Sequence, residues 1–197
     1  MGDWYLEGIV VKKDNSKAAE YYSKGADHGC AASIDALSLL YFLGKHYQKD
    51  DSKSFELLKK SCELEYPASF ANIGYLYLKG IFVKQDYSKA IEYYMKGIEL
   101  DDPYSLKNLA ELYSNGLGVR QNYSKANELY QKSADLGLSD SLIALGQNYL
   151  DGKGFKQDYA KALECFQEAA DHEYLDALCC LGNLYKDGKG VKQDFLE

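Results

Sequence analysis

A 36-residue periodicity is the feature of this sequence that most constrains its fold. A Tyr recurs at that interval from Tyr5 to Tyr185, and a Gly recurs at the same interval from Gly8 to Gly188. Both columns stay in phase through the 197-residue chain without an insertion or a deletion. Sequences of this kind fold as stacked copies of one supersecondary unit, because a single copy is too small to bury its own apolar face.

Each unit is predicted to contain two helices. In residues 68–101, apolar and small side chains first recur at spacings of three and four, as on one face of a helix. Gly80 follows this stretch, where a Gly with positive φ ends a helix at little cost. Asp86 is suited to cap a second helix, which is predicted to run from Tyr87 to Glu99. The face of the first helix consists of Ser69, Phe70, Ile73, Gly74, Leu76 and Tyr77.

The predicted fold class is therefore an all-α solenoid of stacked antiparallel helix pairs with a 36-residue period. We expect one array over residues 1–197. It comprises a partial repeat at 1–31, full repeats at 32–66, 67–102, 103–138 and 139–174, and a partial repeat at 175–197. Because Met1 and Gly2 fall inside a first helix and the last residues form one turn of a second helix, we expect a fragment of a longer protein.

Small and aromatic residues recur at fixed positions of the repeat. Small side chains let two helix axes approach closely, so their columns predict where helices touch. Most of the 19 Tyr recur beside them, which predicts rings packed between helices; the alternative is an exposed platform that stacks bases or sugars. The two small columns are Ser33, Ser69, Ser105, Ser141 and Ala177, and Ser38, Gly74, Ala110, Gly146 and Gly182.

Charge and composition exclude several classes of partner. The formal net charge is −7, and no basic cluster is visible, which argues against binding to nucleic acid or to an anionic membrane surface. No apolar run reaches the roughly 20 residues that a transmembrane helix needs, so we expect no direct membrane insertion. The five Cys follow no regular spacing, which argues against a disulfide framework and mildly favours a reducing, cytoplasmic compartment.

Two runs carry the clearest copies of the repeat. Residues 145–155 read Leu-Gly-Gln-Asn-Tyr-Leu-Asp-Gly-Lys-Gly-Phe, and residues 181–191 read Leu-Gly-Asn-Leu-Tyr-Lys-Asp-Gly-Lys-Gly-Val. This pattern resembles the Sel-one-like repeat family, a relative of the tetratricopeptide repeats. The resemblance implies a right-handed superhelix whose first helices line a concave face, and a function as an adaptor that binds proteins. The second loop glycine of the pattern is replaced by Val10, His46 and Phe82.

A cysteine-rich branch of the same family suggests an alternative function. That branch carries a Cys pair eight residues apart in each repeat and has been linked to penicillin binding and β-lactamase activity. Here Cys62 stands at the first position, but Phe70 stands at the second. No Ser-x-x-Lys motif of active-serine β-lactamases occurs either. A non-enzymatic scaffold is therefore the favoured prediction, and a penicillin-binding or β-lactamase-type hydrolase is the alternative.

The other candidate motifs favour structural interpretations. His28 and His172 share a column with Leu, which indicates a packed helix end and not a metal site. Cys165 and Cys179 are predicted to be buried free thiols, with an approach between neighbouring units as the alternative. The glycine-containing loops read as turns without the remaining features of a phosphate loop. We therefore predict no catalytic residues, no metal and no cofactor.

A Lys recurs three residues after each capping Asp or Asn. It suggests an anion-binding ladder at first sight. The favoured explanation of this Lys column is a local pair with the capping side chain, or an aliphatic stem that covers an aromatic ring. The column consists of Lys17, Lys53, Lys89, Lys125 and Lys161.

The variable columns of the first helices are the candidate binding surface. Positions four residues apart share one helix face, and here they combine amide, charged and a few apolar side chains. Such a face is suited to hydrogen-bond the backbone of a peptide or partner protein, although a solvated helix face is the alternative. Nothing in the sequence fixes an oligomeric state. We name this predicted surface the polar stripe; its residues are Asn72, Tyr75, Lys79, Lys107, Asn108, Glu111, Asn115, Gln147, Asp151 and Asn183.

Overall fold

The computed structural model describes residues 14–188. This part of the chain contains ten α-helices and no strand. Equivalent helices begin 36 residues apart, which confirms the predicted period. The expected truncations at Met1–Gly2 and at residues 194–197 lie outside the described residues. The helices are α1 (Asn15–Asp27), α2 (Ala31–Leu43), α3 (Asp51–Glu63), α4 (Pro67–Lys79), α5 (Tyr87–Glu99), α6 (Pro103–Asn115), α7 (Tyr123–Asp135), α8 (Ser139–Asp151), α9 (Tyr159–Asp171) and α10 (Leu175–Asp187).

The helices are grouped into two compact units, which divide after Leu100. In the first unit, α2 packs on α3 and α4 packs on α5, while α1 packs on α2. In the second unit, α6 packs on α7 and α8 packs on α9, and α10 continues the stack on α9. The predicted fold class, a solenoid of stacked antiparallel helix pairs, is confirmed. We call α2, α4, α6, α8 and α10 the first helices, and the others the second helices.

The predicted capping residues begin each second helix. The Asp86 carboxylate accepts a hydrogen bond of 3.0 Å from the backbone N–H of Lys89, and the Asn122 side-chain oxygen accepts one of 3.0 Å from Lys125. Asp50 and Asp158 make the same bond to the residue three positions on. The cap therefore uses the backbone of the recurring Lys, not its ammonium group.

The loops after the first helices keep one geometry although their sequences differ. Gly80 ends α4 in the left-handed conformation, as the sequence predicts. Two residues later, Phe82 has φ +65°, close to the +70° of Gly118 at the same position of the repeat. His46 likewise has φ +73°. The non-glycine residues thus adopt the glycine conformation, at a cost of roughly 1–2 kcal/mol each.

A glutamine column fixes the same loops and was not predicted. Gln85 Nε2 donates a hydrogen bond of 2.8 Å to the Leu78 carbonyl, which lies in the last turn of α4. Gln121 and Gln157 make the equivalent bond to the residue seven positions before them. These side chains satisfy carbonyls that a helix end leaves unpaired. Lys49 occupies this position one repeat before Gln85, with its ammonium 5.9 Å from the centre of the Phe82 ring.

The small columns mark close helix contacts, as predicted. A Cβ atom added to Gly146 would lie 2.4 Å from Cε1 of Phe166, which is fully buried on α9. Gly74 stands in the same relation to the buried Tyr94 ring on α5. These two glycines therefore let an aromatic ring of the second helix lie directly against the backbone of the first.

The recurring Tyr and Lys residues pack on each other. Lys89 Nζ lies 5.2 Å from the centre of the Tyr77 ring, and Lys161 Nζ lies 5.4 Å from that of Tyr149. The Tyr77 ring is also stacked on Tyr93. The prediction that this Lys covers an aromatic ring is therefore confirmed at these two positions. Packing between helices does not extend to every Tyr of the column, because Tyr185 is 57% exposed.

The cysteines and histidines correct two details of the sequence prediction. All five Cys are free, so the possible approach of Cys165 and Cys179 yields no disulfide. Cys165 is half-buried, but the prediction that Cys179 is buried was wrong, because this thiol is exposed on α10. His28 and His172 do stand at helix C-termini, but both are exposed and not packed.

Candidate partner-binding surface

The residues of the polar stripe lie on the first helices, where their side chains reach solvent. Asn72, Tyr75 and Lys79 are exposed on α4 in the first unit. In the second unit, α6 and α8 carry three pairs of stripe residues four positions apart: Lys107 with Glu111, Glu111 with Asn115, and Gln147 with Asp151. In the second unit, the exposed stripe residues are Asn115, Gln147, Asp151 and Asn183, and the half-buried stripe residues are Lys107, Asn108 and Glu111.

In the first unit, the stripe borders an apolar pocket of about 160 Å³ between α2 and α4. Its polar lining residues are Asp35, Ser38, Ser54 and Asn72. Of the stripe, Asn72 and Tyr75 line it; the sequence did not predict a pocket here. We call this cavity the anchor pocket; its apolar walls are Leu39, Phe42, Leu58, Tyr75 and Leu76.

Side chains from two helices fix the polar rim of the anchor pocket. The Ser69 hydroxyl donates a hydrogen bond of 2.6 Å to Asp35 Oδ1, and Asn72 Nδ2 donates one of 3.1 Å to the same oxygen. Asp35 lies on α2, whereas Ser69 and Asn72 lie on α4. The carboxylate is therefore held in a defined position by side chains of a neighbouring helix. Asp35 belongs to a variable column of the repeat, but its pairing with Asn72 was not predicted.

The second unit has a smaller pocket at the equivalent place, between α8 and α10. Its volume is about 90 Å³, and three of its lining residues belong to or adjoin the polar stripe: Gln147, Asn183 and Asp187. Gln147 corresponds to Leu39 three repeats earlier, and Asn183 corresponds to Tyr75. The same position of the repeat therefore presents apolar walls in the first unit and amide groups in the second.

One predicted stripe residue forms a bridge between helices. Lys107 Nζ on α6 lies 2.7 Å from Asp140 Oδ2 on α8. Burial alone would raise the pKa of Asp140, but hydrogen bonds from Lys107 and from the Tyr174 hydroxyl outweigh it and lower that pKa. The hydrogen bond to Asp140 raises the pKa of Tyr174 to about 12. Lys107 is thus committed to the fold of the second unit as well as available at its surface.

The contribution of Asp140 to stability should disappear in acid. Because its folded pKa is lowered, the ionised carboxylate stabilises the fold fully above its unfolded pKa, about 3.9, and ceases to do so as the pH falls through the folded value. Urea unfolding of the wild type and of Asp140→Asn should therefore differ most near neutral pH and converge as the pH falls below the unfolded pKa and through the lowered folded pKa of Asp140. A difference that stays constant over this range would contradict the assignment.

A further cavity of the first unit lies outside the polar stripe. It measures about 500 Å³, lies between α3, α4 and α5, and includes Cys62, Phe70 and Tyr93 in its lining. Burial raises the pKa of the Cys62 thiol to about 12, so it is protonated at neutral pH and unsuited to nucleophilic attack. Phe70 occupies the position of a disulfide partner in the cysteine-rich branch, and the thiol is free.

Within residues 14–188, no group of three or more His, Cys, Asp or Glu side chains is arranged to hold a metal ion. None of the helices in this range has the length and apolar character needed to cross a membrane.

Stacked helix pairs with a 36-residue period, and pockets between successive first helices, define a helical-repeat protein. The Sel1 repeat matches residues 1–30, 31–66, 71–102, 103–138, 139–174 and 175–197. The chain therefore belongs to the Sel1 repeat family, which confirms the resemblance seen in the sequence. Proteins of this family are generally protein-interaction scaffolds, and the fold is typically non-catalytic.

Three solved structures place the chain within this family. A Sel1 repeat protein from Oxalobacter formigenes is 33% identical, with a TM-score of 0.86, over 98% of this chain and 80% of that one. The protective antigen c5321, present in uropathogenic Escherichia coli strains, displays an SLR fold. It is 26% identical with a TM-score of 0.78, and the match covers 98% of this chain and 42% of that one. Cysteine rich protein B of Helicobacter pylori is 31% identical with a TM-score of 0.50, and the match covers 68% of this chain and 96% of that one. No curated protein matches.

Proposed function

We propose that this chain is a non-enzymatic scaffold that binds a peptide or a partner protein along the polar stripe of its first helices. The observation that carries the proposal is the division of the repeat into two sets of positions. The fixed columns are used by the fold as caps, loop contacts and buried rings. The variable columns instead place exposed amide and aromatic groups beside a pocket in each unit.

The chemistry of the stripe suits recognition of a polypeptide. Amide groups such as those of Gln147 and Asn183 both donate and accept hydrogen bonds, so they can pair with a peptide backbone of any sequence. Tyr75, which is 44% exposed, adds an aromatic surface of the kind that dominates binding energy at protein interfaces. A surface of this composition binds through many small contacts and needs no reactive group.

Tyr75→Ala and Glu111→Lys are expected to weaken capture of partner proteins severalfold while leaving thermal unfolding almost unchanged. Both side chains reach solvent, so their loss affects an interface more than the core. The immobilised chain and its variants are compared by quantitative mass spectrometry of the proteins they retain from one lysate. Matched controls are Met95→Ala and Glu164→Lys, which alter exposed side chains of second helices.

Two outcomes would contradict the proposal. If Tyr75→Ala and Glu111→Lys retain the same proteins in the same amounts as the wild type, the interface lies elsewhere. Hydrolysis of nitrocefin by the purified chain, abolished by a single substitution, would instead support the hydrolase alternative. Neither result depends on knowing the partner in advance.

A further inference from the structure

We infer that α10 is a docking site for an amphipathic helix of a partner protein, which packs on it as α9 packs on α8. The site is separate from the polar stripe and goes beyond the proposed function. Its residues follow one another at spacings of three and four, so they share one side of α10. We name them the open face; they are Leu175, Leu178, Gly182 and Tyr185.

The open face carries apolar side chains that solvent reaches. Leu178 is 56% exposed, whereas Leu142, at the same position one repeat earlier, is only 2% exposed. Leu175 is 74% exposed. Tyr185 is mostly exposed as well, although Tyr149 in the same column is half-buried. Apolar side chains that share one helix face and stay exposed are typical of an interaction site.

The helix pairs of other repeats show what kind of structure covers such a face. On α8, a Cβ atom at Gly146 would collide with the buried Phe166 ring of α9, so the glycine makes room for that ring. On α4, Gly74 makes the same room for the Tyr94 ring of α5. Gly182 stands in this column, and nothing in the described part of the chain lies within 4 Å of a Cβ atom added there. The backbone of α10 is therefore accessible to an aromatic ring of a further helix.

A second contact of the helix pairs involves a cation. Lys161 Nζ of α9 lies 5.4 Å from the centre of the Tyr149 ring on α8. Lys89 Nζ of α5 lies 5.2 Å from the centre of the Tyr77 ring on α4. Tyr185 continues this Tyr column on α10, and its ring is exposed. A Lys ammonium of the docked helix can therefore lie over the Tyr185 ring, as it does in the two complete pairs.

The two contacts define the sequence of the partner helix. On α9, Phe166 follows Lys161 by five positions, and the fully buried Ala162 comes directly after the Lys. Lys89 and Tyr94 have the same spacing on α5. The partner helix therefore carries the pattern Lys-Ala-x-x-x-Phe or Lys-Ala-x-x-x-Tyr. Its Ala and its aromatic residue are four positions apart, so both lie on its apolar face.

The other sides of α10 are already in use. Leu181 and Leu184 are buried in one apolar cluster with Phe166 of α9. Asn183 and Asp187 line the pocket that α10 forms with α8. Docking on the open face therefore leaves the packing of α10 on α9 and the polar stripe unchanged.

The test uses a fluorescein-labelled peptide that copies residues 158–171 and the full chain, with binding measured by fluorescence polarisation under reducing conditions. A hydrocarbon cross-link between positions 164 and 168, which are exposed on α9, keeps the peptide helical. We expect Phe166→Ala in the peptide to weaken binding at least tenfold, because the buried ring is lost. Lys161→Ala in the peptide should cost about threefold, as for an exposed cation–π pair.

Two substitutions in the full chain locate the peptide on α10. Gly182→Ala should weaken binding about tenfold and make Phe166→Ala in the peptide inconsequential, since both changes act on one contact. Tyr185→Ala should likewise remove the effect of Lys161→Ala in the peptide. The matched control is Tyr104→Ala, which removes a Tyr that is 52% exposed in the first turn of α6 and should leave binding unchanged.

Absence of saturable binding of the cross-linked peptide overturns the inference. So does binding that Gly182→Ala and Tyr185→Ala both leave unchanged, because the peptide then occupies another site or has displaced α9 from α8. Urea unfolding of the two variants should match the wild type, since both positions are exposed, and this separates lost binding from lost folding. The proposed function survives each result, because it depends on the polar stripe and is tested by Tyr75→Ala and Glu111→Lys.

Discussion

Gly146→Ala is expected to destabilise the second unit by about 1–3 kcal/mol, the usual cost of overpacking a closed contact. The added methyl group would lie 2.4 Å from Cε1 of Phe166, a ring that is fully buried on α9. The cost exceeds the gain in helix propensity, which is at most about 1 kcal/mol for Gly to Ala. Urea unfolding followed by circular dichroism measures the difference.

The matched control is Gly182→Ala, one repeat later in the same column. Among the described residues, nothing lies within 4 Å of a Cβ atom added there, so only the gain in helix propensity remains. This variant should therefore be neutral or slightly more stable than the wild type. A loss of stability equal to that of Gly146→Ala would show that the Phe166 contact is not the cause.

A double substitution provides a second check on the same contact. In the first unit, Ser38 stands in the glycine column, and the smaller Leu58 stands in the column of Phe166. Gly146→Ala combined with Phe166→Leu gives the second unit a similar combination, a small side chain with a Cβ atom opposite a Leu. We expect the double variant to be more stable than the sum of the two single changes predicts, because the collision is removed.

The second large effect is expected at a buried pair of amides. Asn148 Nδ2 donates a hydrogen bond of 2.6 Å to Asn127 Oδ1, and Asn127 Nδ2 donates one of 2.8 Å to the Lys153 carbonyl. Asn127 is 1% exposed, so neither bond can be replaced by water without rearrangement. Asn127→Leu leaves both partners unpaired and should cost about 2–4 kcal/mol, as one to two unsatisfied groups do.

The matched experiment replaces both amides. One repeat later, Leu163 and Leu184 occupy the two positions and pack in one apolar cluster of the second unit. Asn127→Leu with Asn148→Leu should therefore recover most of the stability lost in Asn127→Leu, since two apolar partners leave fewer polar groups unpaired. If the double variant regains no stability, the loss of the hydrogen bond from Asn127 to the Lys153 carbonyl accounts for the destabilisation. Thermal and urea unfolding of the four proteins complete the cycle.

The sequence was sufficient for the parts of the fold that depend on local rules. Gly80 ends one helix and Asp86 begins the next through bonds to residues close in the chain, and the structure places both as predicted. The glutamine column was equally visible, since Gln85, Gln121 and Gln157 recur at the same interval. It was missed because its partner carbonyl belongs to the backbone, which has no sequence signal.

Contacts between helices of different repeats were not accessible in the same way. The variable columns were predicted as a binding surface; seven of the ten stripe residues are exposed and three are half-buried. Lys107, however, pairs with Asp140, and Asn72 pairs with Asp35. Such pairs depend on how two helices are rotated against each other, and the pattern of one helix does not specify that rotation. Their role in binding stays a prediction.

The buried amides also bear on how a repetitive chain avoids folding out of step. Successive repeats are so alike that a helix shifted by one whole repeat finds almost the same apolar neighbours. Such a shift would set Asn148 against Leu163, or Leu184 against Asn127, and would leave an amide buried without a partner. A polar pair inside an apolar seam is known to fix alignment between helices in this manner. The hydrogen bond between Asn127 and Asn148 thus favours the alignment in which α8 packs on α7 and not on a helix of another repeat.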